Sequence, residues 1–207
     1  MPQLANRITQ LEESATLKMA ALARELKAEG KDIISLSLGE PDFDTPKHIQ
    51  QAAKEAIRSK YFHYPPVNGL QELREAICEK FKRENGLNYE PNQITVSTGA
   101  KQTLMNAVMC CVNPGDEVIV PAPYWVSYAA MVSLAGGKMV NISAGVEQDF
   151  KITPEQLEAA ITDKTKLFIF SSPSNPTGSI YTKDELKGLV QVFERHPQIT
   201  IVSDEIY

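Results

Sequence analysis

The chain has 207 residues, enough for one large domain or one domain and part of a second. Its 21 basic and 26 acidic residues make a mildly acidic balance, which argues against a nucleic-acid surface, since that needs a basic stripe. No apolar run reaches membrane-spanning length, and the first seven residues lack an apolar signal core. Cys78, Cys110 and Cys111 are odd in number and two are neighbours, which is no disulfide framework; reduced, buried thiols in a cytoplasmic protein are expected.

Residues 1–13 read as a polar, weakly amphipathic arm. Ser14 or Thr16 is suited to cap a following helix with Leu17, Ala20, Ala21, Leu26 and Ala28 on one face and Gly30 at its end. Residues 33–38 alternate as a short strand and run into Gly39-Glu-Pro-Asp-Phe-Asp-Thr-Pro46, an ordered loop by its prolines, glycine and acids. Thr45-Pro46 is a helix start, and the helix runs to about Ser59 with Ile49, Ala52, Ala53, Ala56 and Ile57 on one face. The proline pair in Tyr61-Phe-His-Tyr-Pro-Pro-Val-Asn-Gly69 holds that segment extended. A third helix carries Leu70, Leu73, Ile77 and Phe81 and stops near Asn85-Gly86.

From Gln93 the rhythm changes. Strands are predicted at 94–98, 117–121, 138–142, 167–171 and 199–203, with helices at 100–112, 125–135, 154–161 and 182–195 between them. Such alternation implies right-handed crossovers and a largely parallel sheet, an α/β fold. Ligands of open α/β sheets bind outside the carboxyl ends of the strands. No glycine fingerprint for a dinucleotide follows the first strand of this body, and Gly136-Gly137-Lys138 precedes Met139, so it is no P-loop. His48, His63 and His196 stand apart, and no metal-ligand spacing exists.

Four strand-end stretches remain. Ser97-Thr-Gly-Ala-Lys101 joins a strand to a helix whose first amides point at any anion there; the plain alternative is a turn of small residues that lets strand and helix pack. Pro121-Ala-Pro-Tyr-Trp125 places the only tryptophan past a strand end, where it either stacks on a planar ligand or joins the core. Ser172-Pro-Ser-Asn175-Pro-Thr-Gly178 holds an amide between two prolines, or is an ordinary turn. At the end of the last apolar run stand Asp204 and Tyr207, and a carboxylate held there is costly without a cation or several donors, unless it is a surface or helix-cap acid. At four strand ends of one sheet, all four are expected to face the same crevice. An anion cradle, an aromatic face, an amide, a phenol and an acid together suit a planar, phosphorylated, cationic heteroaromatic, and pyridoxal phosphate is such a molecule.

At these residues, and at Tyr64-Pro-Pro with Gly69, Pro123-Tyr-Trp-Val-Ser-Tyr128 and Ser203-Asp-Glu-Ile-Tyr207, the sequence resembles the class I, fold-type I aminotransferases, and looks most like the bacterial-type aspartate aminotransferase subgroup. The resemblance runs from about residue 5 to the end. It implies a three-layer, mostly parallel large domain, present in part over residues 46–207, after an arm and small-domain portion over 1–45. It implies that Asp204 pairs with the pyridine nitrogen, that Asn175 and Tyr207 hold the ring's 3-oxygen, and that Trp125 stacks on the ring. Gly99, Ala100 and Lys101 would lie at the phosphate end. Tyr64 would reach the neighbouring subunit's phosphate in a homodimer. Gly39 would lie against the substrate, with Trp125 and Asn175 beside it, and Lys101, Ser14 and Thr16 would meet a distal carboxylate. The family's Schiff-base lysine and α-carboxylate arginine lie beyond Tyr207, so the chain resembles the first half of such an enzyme and is expected to be inactive alone. The expected reaction moves an amino group from aspartate to 2-oxoglutarate. Aromatic amino acids, alanine or prephenate are the rival substrates, and a non-catalytic fragment that binds a cofactor or a partner is the rival from another class.

Overall fold

The computed structural model describes residues 4–9, 11, 13–37, 39, 41–59 and 63–206. They fall into two units, Met1–Ser14 with Thr98–Tyr207, and Ala15–Ser97.

The first unit begins with the one-turn helix α1 (Asn6–Thr9). It is built on four parallel strands, β1 (Glu117–Ala122), β2 (Lys138–Ser143), β3 (Thr165–Ser171) and β4 (Thr200–Asp204), in the order β2-β1-β3-β4. Helix α5 (Ala100–Cys111) precedes β1, and α6 (Ser127–Leu134), α7 (Pro154–Ala160) and α8 (Lys183–Arg195) make the three crossovers. Side chains alternate across a strand, and this alternation sorts the core into two layers. Val118, Val120, Leu167 and Ile169 pack with Leu104, Val108, Tyr128, Met131 and Val132 from α5 and α6. On the opposite face Ile119 and Phe168 pack with Leu157, Leu189, Val192 and Phe193 from α7 and α8. The α/β sheet with flanking helices is therefore the one the alternation predicts. Val118, Ile119, Val120, Leu167 and Ile169 are wholly buried, each contributing about 1.5–3 kcal/mol.

Local signals agree with these bounds. Thr153 and Thr182 each accept a bond from the amide three residues on, and the Gln156 and Glu185 side chains accept one from the cap amide, so reciprocal capping boxes open α7 and α8. At the amino ends of the strands, Glu117 accepts from Lys138 Nζ at 3.1 Å and from Thr162 Oγ1 at 2.7 Å, tying the starts of β1, β2 and β3.

The second unit holds α2 (Ala15–Ala28), α3 (Lys47–Arg58) and α4 (Gln71–Lys80), close to the predicted helices. A π-turn at Phe81–Asn85 extends α4, and Gly86, at φ 68°, ends it. Gly69 is needed for space as well as for its φ of +98°, because a Cβ there would lie 2.7 Å from the Val96 side chain.

Three expectations need correction. Neither 33–38 nor 94–98 is a strand: the described residues there are extended or irregular and pair with no strand among the described residues. A strand needs a neighbour for its amides and carbonyls, and the Val96 amide instead bonds the Asn68 carbonyl at 3.1 Å. Leu38 lies outside the described residues. The cysteines are free thiols, but not buried: Cys110 is exposed, and Cys78 and Cys111 are half-buried. On α5 the i, i+4 stripe toward the core belongs to Leu104 and Val108, which turns Cys110 outward.

Candidate active site

Parallel strands put all four carboxyl ends on one rim. β1 ends at Ala122, β3 at Ser171 and β4 at Asp204, and Ser171 and Asp204 are register partners. Past β1 the chain passes a cis Ala122-Pro123 bond and enters α6, with Trp125 two residues before the helix. Trp125 is half-buried against the α5–α6 core layer, so it is neither a core residue nor a free one. Its ring meets Tyr128 edge-on, with centroids 5.6 Å apart and planes at 88°. The ammonium of Lys101 lies 4.9 Å from the Trp125 ring centroid, within cation–π range.

Tyr128 is 2% exposed, and its hydroxyl donates to Asp204 Oδ2 at 2.7 Å. A carboxylate at a half-buried strand end needs such a donor, and this one comes from a helix on the far side of the β1 loop. Lys101, Trp125, Tyr128 and Asp204 thus form one continuous line of contacts along the rim. Helix α5 starts beside it. Gly99 precedes that helix at φ 82°, a conformation that favours glycine although a Cβ would meet nothing within 4 Å. The Thr98 amide donates to Gln102 Oε1 at 2.6 Å, which fixes the approach of the chain to the helix. The amides of Ala100 and Lys101 belong to the first turn of α5, where no intrahelical carbonyl accepts them.

The Asn175 loop hangs from β3. The bonds before Pro173 and Pro176 are cis. Gly178 N donates to the Ser174 carbonyl at 2.8 Å and Ser174 N to the Ser179 carbonyl at 2.9 Å, closing the turn. Asn175 N donates to Ser171 Oγ at 3.4 Å, so the residue beside Asp204 in the sheet also holds Asn175.

Of the predicted site residues, the rim therefore carries Gly99, Ala100, Lys101, Trp125, Asn175 and Asp204. Gly39, Tyr64 and Thr16 belong to the other unit, where Gly39 and Tyr64 are exposed and Thr16 is half-buried; half-buried Ser14 closes the first segment of the unit that holds the sheet. Tyr207 lies outside the described residues. Tyr128 had no role assigned from sequence. Its signal was a phenol at the second position of a mostly apolar helix, three residues after Trp125.

The family described as aminotransferase class I and II matches residues 31–207. The chain belongs to this aminotransferase family. Over all 207 residues it is 57% identical to an aspartate/prephenate aminotransferase of Cereibacter sphaeroides, and over 205 residues 51% identical to an aspartate aminotransferase of Bacillus subtilis; it covers 52% of each. Among solved structures, the aspartate aminotransferase of Rhizobium meliloti superposes with a TM-score of 0.94 at 48% identity, over 99% of this chain and 51% of that one. The Thermus thermophilus aspartate aminotransferase with maleate gives 0.95 at 45% identity, over 100% of this chain and 54% of that one. The chain thus spans about half the length of the aminotransferases it matches. Aminotransferases of this family depend on pyridoxal phosphate.

Proposed function

We propose that this chain supplies the cofactor-binding half of an aminotransferase that moves an amino group from aspartate to 2-oxoglutarate. The observation that carries the reading is the Tyr128–Asp204 hydrogen bond, which fixes a carboxylate on the rim that also bears the Asn175 loop and the start of α5. This donor set fits pyridoxal phosphate: an anion for a ring cation, an amide for a ring oxygen, and a helix start for a dianionic phosphate. The bound cofactor supplies an electron-withdrawing ring that stabilises negative charge developing on the substrate's α-carbon.

The protein's own groups set that ring's state. Asp204, oriented by Tyr128, keeps a proton on the ring nitrogen, because a nearby anion favours the charged form. Asn175 and Tyr207 hold the 3-oxygen. Gly99, Ala100 and Lys101 receive the phosphate, and Trp125 covers the ring. Tyr64 reaches the phosphate of the second subunit of a homodimer, and Gly39 borders the substrate. Lys101, Ser14 and Thr16 meet the distal carboxylate of a dicarboxylic substrate. Maleate, held by the Thermus thermophilus relative, is itself a dicarboxylate, which supports this choice. We assign 1–45 to the arm and small-domain portion, 46–207 to the large domain, and the whole to the cytoplasm. Among the described residues no helix is long and apolar enough to cross a membrane.

Several lysines of this chain are held in ion pairs: Lys138 with Glu117, Lys151 with Glu185 and Lys187 with Asp184. We therefore propose that the chain alone holds the cofactor without a stoichiometric covalent bond and does not turn over. Borohydride reduction with the cofactor, then mass mapping, should give scattered, low labelling; one fully labelled lysine together with amino transfer from aspartate would refute this.

Trp125, the sole tryptophan, is the natural reporter of binding. Pyridoxal phosphate should quench its emission, and Asp204→Asn should weaken that binding about tenfold, the loss of about 1.4 kcal/mol. Equal affinity for both proteins would remove Asp204 from the site. The second reading, prephenate as amino acceptor, is favoured by the name of the Cereibacter sphaeroides relative. A chimera with this chain in place of the matching half of the Bacillus subtilis aminotransferase, assayed with aspartate and either 2-oxoglutarate or prephenate, decides between them.

A further inference from the structure

The loop that carries Asn175 is gripped from outside by a second loop that no part of the reading above uses. Ser179 Oγ donates to Asp149 Oδ1 at 3.4 Å, Lys151 Nζ donates to the Ile180 carbonyl at 3.4 Å, and the Ile152 amide donates to the Tyr181 hydroxyl at 2.9 Å. Three consecutive residues are each held by a residue of 149–152. Tyr181 N in turn donates to Ser172 Oγ at 3.0 Å, closing the loop back on its own start.

Lys151 is the centre of the grip. Besides the Ile180 carbonyl, its ammonium meets Glu185 at 2.8 Å, in the first turn of α8, and Asp149 at 3.2 Å. Its side chain is only 14% exposed. The hydrogen bond to Glu185 raises the Lys151 pKa, and the same bond holds Glu185 down at about 2. Lys151 and Glu185 are therefore both charged throughout the neutral range. Asp149 and Phe150 sit at φ 52° and 56°, left-handed conformations in which a phenylalanine is rare. This turn is what brings Asp149 and Lys151 together on residues 179–185. A cavity of about 20 Å³ lies beside it, lined among others by Phe150, Lys151, Ser171, Ser174, Ser179 and Tyr181. The grip thus borders Ser171 and Ser174, the residues that anchor Asn175 and close its turn. The partners of Lys151 lie in loops and in α8, and none lies in β1–β4. Such a contact has little to give the sheet and much to give the loop.

We propose that Lys151 is a positioning residue: with Asp149 and Glu185 it fixes the 172–181 loop, and through that loop it aims the Asn175 amide at the ring oxygen of the ligand. The ligand's identity rests on the cofactor reading; the grip does not.

The test compares the chain with Lys151→Met, which keeps the apolar stem and removes the charge, and with Asp149→Asn, which tolerates the left-handed backbone and removes a carboxylate. Asp149→Asn carries the test if Lys151→Met does not fold. Hydrogen exchange at the amides of 172–181 should speed by about tenfold or more, and by clearly less at the amides of β1 and β3. Trp125 quenching by pyridoxal phosphate and by its 3-deoxy analogue gives the second readout, and the preference for the 3-oxygen should fall by about tenfold. Unchanged loop exchange, or a rise shared equally by β1 and β3, overturns the proposal. So does faster loop exchange with an intact 3-oxygen preference, since the grip would then hold the loop without aiming Asn175. If the unmodified chain binds neither compound, the cofactor reading fails, and the exchange pattern alone decides for or against the grip.

Discussion

At the level of single residues, Tyr128 offers the sharpest contrast between what it costs to bury and what it does. Tyr128→Phe keeps the edge contact with Trp125 and removes one donor from Asp204. A hydrogen bond to a charged group contributes roughly 1.5–3 kcal/mol, and the lower end applies because Asp204 is half-exposed. The urea midpoint should drop accordingly, and cofactor affinity should drop with it; an unchanged midpoint would mean that water replaces the phenol without loss. Lys101→Ala is expected to act differently. In the chimera it should lower activity with aspartate by about 1.5–3 kcal/mol in kcat/KM and leave alanine nearly untouched, whereas equal losses would assign Lys101 to the phosphate end. The positions of Trp125, Asn175 and Asp204 past strand ends were legible, because each follows an apolar run that is a strand; the same signal suggests a strand end for Gly99, but 94–98 forms no strand. The Tyr128 contact was not legible, because it joins residues 76 apart, and no local period encodes a partner that distant. The Lys151 grip was hidden for the same reason: Ile180 and Glu185 lie 29 and 34 residues away, and the turn that brings Lys151 to them is made by two non-glycine residues in left-handed conformations.

Among the elements, β3 is the one with most to lose. It pairs with both β1 and β4 and shows Leu167 and Ile169 to one core layer and Phe168 to the other. Phe168→Ala empties the space where the rings of Phe170 and Phe193 meet it at 5.4 and 5.1 Å. A loss of about 3–5 kcal/mol is expected, read as a fall in the denaturation midpoint of the β-sheet signal. β4 has the opposite liability. It is paired on one side only among the described strands, and Ile201 is 45% exposed on it. Ile201→Lys should reduce self-association in sedimentation, since charge on an edge strand discourages strand addition; unchanged association would locate the contact elsewhere. The helices were legible from apolar spacing and caps, which act within a turn or two. Residues 33–37 and 94–98 have strand-like composition yet form no ladder among the described residues, because a strand also requires a neighbour, and the neighbour is a long-range fact.

For the molecule as a whole, acid is the informative perturbation. Glu117 sits below its ordinary carboxylate range because Thr162 and then Lys138 bond it, Glu158 because His196 and Arg195 do, and Glu185 falls from 4.5 to about 2 because Lys151 and the Thr182 amide bond it. A carboxylate with a depressed folded-state pKa stabilises the fold above its unfolded pKa, and that help disappears as pH falls through the folded value. Melting temperatures should therefore hold from neutrality down to about 4.5 and then decline toward pH 2. Glu185→Gln should flatten the lowest part of that decline, and an identical curve would show that the Lys151 cluster does not couple to global unfolding. Of these acids, Glu117 lies at the end of the sheet away from the rim that bears Asp204. Glu117 fastens the amino ends of β1, β2 and β3, while Gly99, Trp125, Asn175 and Asp204 line the carboxyl ends. This polarity makes the chain a favourable starting point for laboratory evolution. A library that randomises the loops at the ligand end leaves untouched the contacts that set strand register, so many variants stay folded while their preferences drift, and selection can act on chemistry before it is blocked by collapse.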